Sequence, residues 1–153
     1  MKKLKIVFTK SRKKLPLFGW LIRLWTWKSF SHVALEVKLD ILDNPMYFQA
    51  SDGKVNYEYS THFHKKHKII KSYEISISDE IADNMAKTRL KHAGEIYGNL
   101  QNVGIVYTDI LSLFGIKVKN PWKKGKNCSE LIYINVLKPL YPELSYDPQT
   151  IKP

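Results

Sequence analysis

Only one cysteine, Cys128, occurs in this sequence, which excludes an intramolecular disulfide framework and leaves stabilisation to packing. Long apolar runs are also missing. Near the N-terminus, Ile6-Val7-Phe8 is too short for a signal-peptide core. The segment from Leu15 to Trp27 is apolar and aromatic, but Arg23 interrupts it and it falls short of a membrane span. The expectation is a cytoplasmic protein without a targeting signal or transmembrane helix. Acidic residues are scarce as well: 14 Asp and Glu stand against 25 Lys and Arg, a formal net charge of +11. That balance attracts polyanions such as anionic lipid or cell-wall polymers. The lysines are spread over Lys2–Lys5, Arg12–Lys14, Lys65–Lys68 and Lys123–Lys126, and spread charge is ordinarily solvated surface. No arginine-rich helix or aromatic-basic RNA-binding signature is present, so no specific nucleic-acid partner is expected. Nothing in the composition sets an oligomeric state.

What is present is enough for one folded domain over residues 1–153, with 44% hydrophobic residues. Leu4–Thr9 reads as a first strand and Pro16–Trp25 as a short helix. Phe30–Leu39 alternates, with Val33, Leu35 and Val37 on one face and His32, Ala34 and Glu36 on the other. Met46–Ala50, Lys54–Tyr59 and Ile69–Ile77 extend an antiparallel sheet. Asp43-Asn44-Pro45 and Ser51-Asp52-Gly53 mark turns. A polar, His-rich link joins Tyr59 to Ile69. Ser78 is an expected helix cap, with Ala82, Ala86, Leu90, Ala93 and Tyr97 as the inner face. A second helix is expected over Val103–Phe114, and a last one from Cys128 to about Leu137, stopping before Pro139. The tail from Tyr141 is expected to be extended. The fold class is α+β, strands first and helices second.

Cys128 starts the last helix, in Asn127-Cys128-Ser129-Glu130-Leu131-Ile132-Tyr133. A thiol at a helix N-terminus with an imidazole nearby is the arrangement that generates a nucleophilic thiolate. The alternative is a buried, inert cysteine. The imidazole candidate is His32, on a strand face it shares with the small Ala34. A catalytic imidazole is usually oriented by a third group. Glu36 lies four residues along the same strand, about 13 Å away and out of reach. Gln49, on the following strand, is the preferred orienting residue. His62, His64 and His67 are the competing cluster. Their spacing fits no standard zinc site and lysines surround them, so a solvated loop is expected and no metal. His92 is expected at the surface. The aromatic stretch Phe18–Trp27 either packs in the core, touches a membrane interface or lines a substrate groove.

These runs resemble the circularly permuted NlpC/P60 group of papain-like proteins. There a Ser/Gly-His-Val strand comes first and a Tyr/Asn-Cys-Ser-Glu-Leu-Val helix comes last. Here they read Ser31-His32-Val33-Ala34-Leu35 and Asn127-Cys128-Ser129-Glu130-Leu131-Ile132. Phe48-Gln49-Ala50 resembles the group's apolar-Glu-Ala strand, with Gln49 in place of the commoner Glu or His. Gly94-Glu95-Ile96-Tyr97-Gly98 resembles its Gly-x-x-Tyr-Gly/Asp segment. The resemblance implies a small antiparallel sheet packed against helices and a thiol hydrolase, a peptidase or amidase, with Cys128 as nucleophile, His32 as base and Gln49 orienting it. Ser31, Tyr97 and Trp27 are the candidate substrate-binding residues. No cofactor is expected. Members of the group cleave cell-wall peptides or act on lipid acyl groups, so the substrate class is peptide- or lipid-containing, at an anionic wall or membrane surface. The alternatives are a lipid-directed acyltransferase or esterase on the same fold and an inactive module that binds an anionic polymer. The stretch Ile22–Thr26 also resembles small phage-encoded members, which implies a viral or prophage origin.

Overall fold

Period-two alternation of apolar residues folds into a sheet buried on one face and half-covered on the other. A computed structural model describes residues 1–12, 23–24, 27, 29–39, 42–122 and 125–145, the side chains of 99–102 excepted. Strands β1 (Lys2–Ser11), β2 (His32–Val37), β3 (Met46–Ser51), β4 (Lys54–Tyr59) and β5 (His67–Ile77) form one antiparallel sheet in the order β4-β3-β2-β1-β5. The β3–β4 turn is tight because Asp52 and Gly53 both take positive φ, 50° and 88°. The chain is thus α+β, with the sheet built before most of the helices.

The main core joins Val33, Leu35, Val37, Phe48 and Val55 of the sheet to residues of two helical segments. Met85 comes from α2 (Asp79–His92), Leu131 and Ile132 from α4 (Cys128–Ile132). Ser78 caps α2, its hydroxyl accepting from the Ile81 N–H at 3.2 Å. Helix α3 (Asn99–Leu113) ends at Gly115, where φ is 76°.

Several expectations are corrected. The link after Tyr59 is a helix, α1 (Ser60–Lys66), not a solvated loop. Its one buried residue, Phe63, stacks on Tyr47 at 3.8 Å and, with Val7 and Ala34, forms a second cluster on the far face of the sheet. One apolar residue in seven leaves no helical period to read. The inner face of α2 is rotated from the expected one: Met85 and Arg89 are buried, while Leu90 is 69% exposed. Ala93 caps the helix and Tyr97 lies beyond it. The last helix does not stop before Pro139. It passes through a π-helical stretch (Tyr133–Leu137) into α5 (Lys138–Leu140). In that stretch the Lys138 N–H reaches the Tyr133 carbonyl, five residues back. The wider turn lies next to Pro139, whose ring and missing N–H conflict with a regular α-turn. The expected helix over Pro16–Trp25 lies outside the described residues, save Arg23 and Leu24, as does most of the tail after Tyr141.

The two helix faces make opposite stability predictions. Met85→Ala is expected to lower unfolding free energy by about 2–5 kcal/mol, and Leu90→Ala to change it by less than about 0.5 kcal/mol. Urea denaturation followed by circular dichroism measures both.

Candidate active site

The helix carrying Cys128 begins where it does because Asn127 stops it from beginning earlier. Asn127 has extended backbone angles, and its Oδ1 accepts the Glu130 N–H at 2.7 Å. Upstream, Gly125 (φ 91°) passes so close to the chain that a Cβ there would sit 2.6 Å from the Ile96 carbonyl oxygen. That approach lets Lys126 exchange backbone hydrogen bonds with Ile96 and Gly98 at 2.9 Å each. The same segment is tied to the β3–β4 hairpin, through Tyr97 N–H to the Gly53 carbonyl and Val55 N–H to the Glu95 carbonyl. Residues 94–98 therefore clamp the start of α4 to the sheet.

His32 is the first residue of β2, where the sheet ends and α4 reaches it. The Cys128 thiol lies against the His32 ring, close enough for each group to shift the other's titration. On the other side, His32 Nε2 lies 2.7 Å from Gln49 Oε1. The β2–β3 register, Leu35 opposite Phe48 and Glu36 opposite Tyr47, continues to place Gln49 opposite Ala34. The bond is thus diagonal, crossing the Ala34 methyl rather than joining directly opposed residues. Cys128, His32 and Gln49 are all buried.

The amide of Gln49 is held at both ends. Its Nε2 donates to Glu58 Oε2 on β4. Glu58 Oε1 in turn pairs with Lys66 Nζ at 2.7 Å, and Lys66 also pairs with Asp52 at 2.6 Å. With the amide NH₂ committed to Glu58, Oε1 faces His32 as an acceptor. His32 Nε2 therefore carries the hydrogen, and Nδ1 is left for the thiol.

Electrostatics follow this geometry. Burial works against a His32 imidazolium, but Cys128, Gln49 and the Glu58 charge outweigh it and raise the His32 pKa above its ordinary value. Burial likewise works against a Cys128 thiolate. The hydrogen bond and charge of His32, the Val33 backbone and the Ser129 side chain outweigh it and lower the thiol pKa. The pair favours thiolate–imidazolium. A second imidazole lies against it: the His67 ring stacks on His32 at 4.9 Å and on Phe63 at 4.8 Å. Burial, then repulsion from His32, pushes the His67 pKa down to about 3, so His67 stays neutral beside a charged His32.

The other candidates fall elsewhere. Glu36 accepts from Tyr47 at 3.1 Å and pairs with Lys5 at 2.9 Å. Ser31, next to His32, donates its N–H to the Thr9 carbonyl at 3.0 Å. Tyr97 is half-buried against the main core and is itself the bridge partner of Lys126. Trp27 is 91% exposed, with φ 54°. His62, His64 and His67 do not converge. His64 lies 3.3 Å from the Tyr47 hydroxyl, while His67 joins the buried site, contrary to the expected solvated loop. Among the described residues no group of three His, Cys, Asp or Glu could hold a metal ion. His92 is also not free at the surface but bonded to Glu95 at 2.9 Å. Sequence reasoning missed Glu58, Lys66 and His67. Glu58 had one legible signal, its place on a hairpin strand with the parity that puts it on the face of Gln49.

The chain matches no family model, no curated protein and no solved structure in the comparisons made.

The coupled pair predicts a pH-dependent thiol. Alkylation of Cys128 by iodoacetamide should show a midpoint below the roughly 8.5 of a free cysteine. In His32→Ala, burial is opposed only by the lesser effects of the Val33 backbone and the Ser129 side chain, and the midpoint should move above that value. Glu58→Ala should move it upward by less, because the amide of Gln49 loses its anchor but stays in place.

Proposed function

We propose that this chain is a thiol hydrolase, a peptidase or amidase, with a Cys-His-Gln site on a permuted NlpC/P60-like, papain-like fold. The observation that carries the reading is the buried series Cys128–His32–Gln49, with the imidazole bonded to the amide, the thiol pKa lowered and the imidazole pKa raised. The order of parts supports it too: the histidine at the start of a central strand, the cysteine at the start of the last helix.

In this reading the Cys128 thiolate attacks a carbonyl carbon. The tetrahedral oxyanion is met by the Cys128 backbone N–H. Asn127 Nδ2 offers a further donor, since it is buried and has no acceptor among the described residues. The His32 imidazolium gives its proton to the leaving amine, which departs and leaves an acyl-thioester. Neutral His32 then takes a proton from water, whose oxygen attacks the thioester and frees the acid and the thiol. Gln49, with Glu58 behind it, keeps the ring oriented through both halves.

A cell-wall peptide or related amide is the preferred substrate. A second reading, a lipid-directed acyltransferase or esterase, is favoured by one observation. Leu113 and Phe114, at the end of α3, are 77% and 76% exposed, and Ile116 and Val118 are exposed beside Lys117 and Lys119. An apolar edge next to cations suits an anionic lipid interface. No helix among the described residues is long and apolar enough to cross a membrane.

The test is turnover of muropeptide amides and of phospholipid vesicles by wild type and Cys128→Ala. Amide cleavage that falls by at least about 10³-fold in the variant, with an unchanged thermal melt, is the expected result. Cysteine-dependent release of fatty acid alone would select the lipid reading. Salt-sensitive polymer binding with no turnover and no acyl intermediate would leave a binding module.

A further inference from the structure

At the opposite end of β2 from His32, five residues and about 17 Å along the strand, lies a cavity of about 370 Å³ between the sheet and α2. Arg89 forms part of its wall and is only 8% exposed. Among the described residues no carboxylate pairs with its guanidinium, and its Nε is buried without an acceptor. Buried charges in folded proteins are paired, because removing a lone cation from water is strongly unfavourable. The surrounding charge adds to the deficit from one face: Lys2 reaches the α2 side, while Lys3 and Lys38 line the cavity from positions whose ammonium groups lie toward Glu74 on the opposite face. The one lining carboxylate, Glu36, is already engaged by Lys5 and Tyr47. Lys2 and Lys3 pair with Asp83 and Glu74 at the exposed rim, where such bonds are weak and exchangeable.

From this guanidinium, unpaired among the described residues, we infer a second site on the protein, one that binds a phosphate monoester dianion. Arginine presents a planar fork that matches phosphate oxygens, and Lys2, on the same face, supplies the further positive charge that a dianion, rather than a carboxylate, requires. Val37, Ile77 and Ala82 complete the wall and suit a small apolar substituent on the ester. The site is separate from Cys128 and does not depend on the hydrolase reading.

The test is thermal unfolding in a buffer free of oxyanions, with added inorganic phosphate, acetate, or vesicles containing phosphatidic acid. Wild type should gain about 2–4 °C or more with saturating phosphate and little with acetate at equal ionic strength. Arg89→Met, which keeps the length of the stem, should melt no lower than wild type without phosphate and gain nothing with it. Cys128→Ala should respond as wild type does. A shift with vesicles but not with free phosphate would overturn a soluble ligand in favour of a lipid headgroup. A wild type indifferent to phosphate, or an Arg89→Met protein that responds equally, would overturn the site. Should Arg89→Met fail to fold, amide NMR shifts of the wild type during phosphate titration decide. Saturable shifts centred on Val37, Lys38, Ala82 and Arg89 support the site, and their absence there refutes it.

Discussion

The amide of Gln49 is the constraint on which the site depends. A side-chain amide can turn over and exchange its donor for its acceptor with almost no change of shape. Here one end meets an imidazole and the other a carboxylate, so one orientation satisfies both partners and the reverse turns the amide oxygen onto the carboxylate. That choice fixes which nitrogen of His32 carries hydrogen, and so which nitrogen meets the thiol. The choice is made on β4, two strands from the histidine. Lys66, from α1, then holds the carboxylate that makes it. A helix on the far face of the sheet is thereby coupled to the protonation of a cysteine.

The sheet was legible because strand periodicity is short and strong. Val33, Leu35 and Val37 alternate with His32, Ala34 and Glu36, and the parity alone separates the core from the site. The cysteine helix was legible from its Asn127 cap. Other parts were hidden for physical reasons. Helix α1 buries a single residue, Phe63, and its neighbours are all polar, so the pattern looked solvated. His67 became part of the site only because that helix returns the chain beside β1. A charged residue such as Glu58 on an edge strand is ordinarily solvated, and only the β3–β4 register gives it a different role. On α2 the apolar spacing through Ala82, Ala86 and Leu90 was plausible, yet the packed face runs through Met85 and Arg89. An arginine in a buried stripe breaks the hydrophobic pattern that sequence reading relies on.

Charge is distributed unevenly over this frame. The chain is strongly cationic, yet around the site acidic groups prevail in effect: Glu58 and Asp52 bracket Lys66, and the Glu58 charge favours a protonated His32. At the other end of β2 the cations prevail. One strand thus runs from an end that holds a proton to an end where, among the described residues, no carboxylate pairs with Arg89. Both arrangements rest on the same register, since His32 and Val37 are the two ends of β2.

Cys128 is only 1% exposed, and this has a consequence for its lifetime. A thiolate open to solvent is readily oxidised to sulfenic acid and beyond, and the later steps are irreversible. Enclosure separates how reactive the sulfur is from how often anything meets it. Its observed rate with any reagent is the intrinsic rate multiplied by the fraction of time the surrounding segments stand open. Peroxide and any other thiol reagent then compete for the same brief openings. A ligand that binds the open form lengthens its own opening, and an oxidant with no affinity does not. The enclosure therefore acts as a filter in time, sparing the sulfur between encounters.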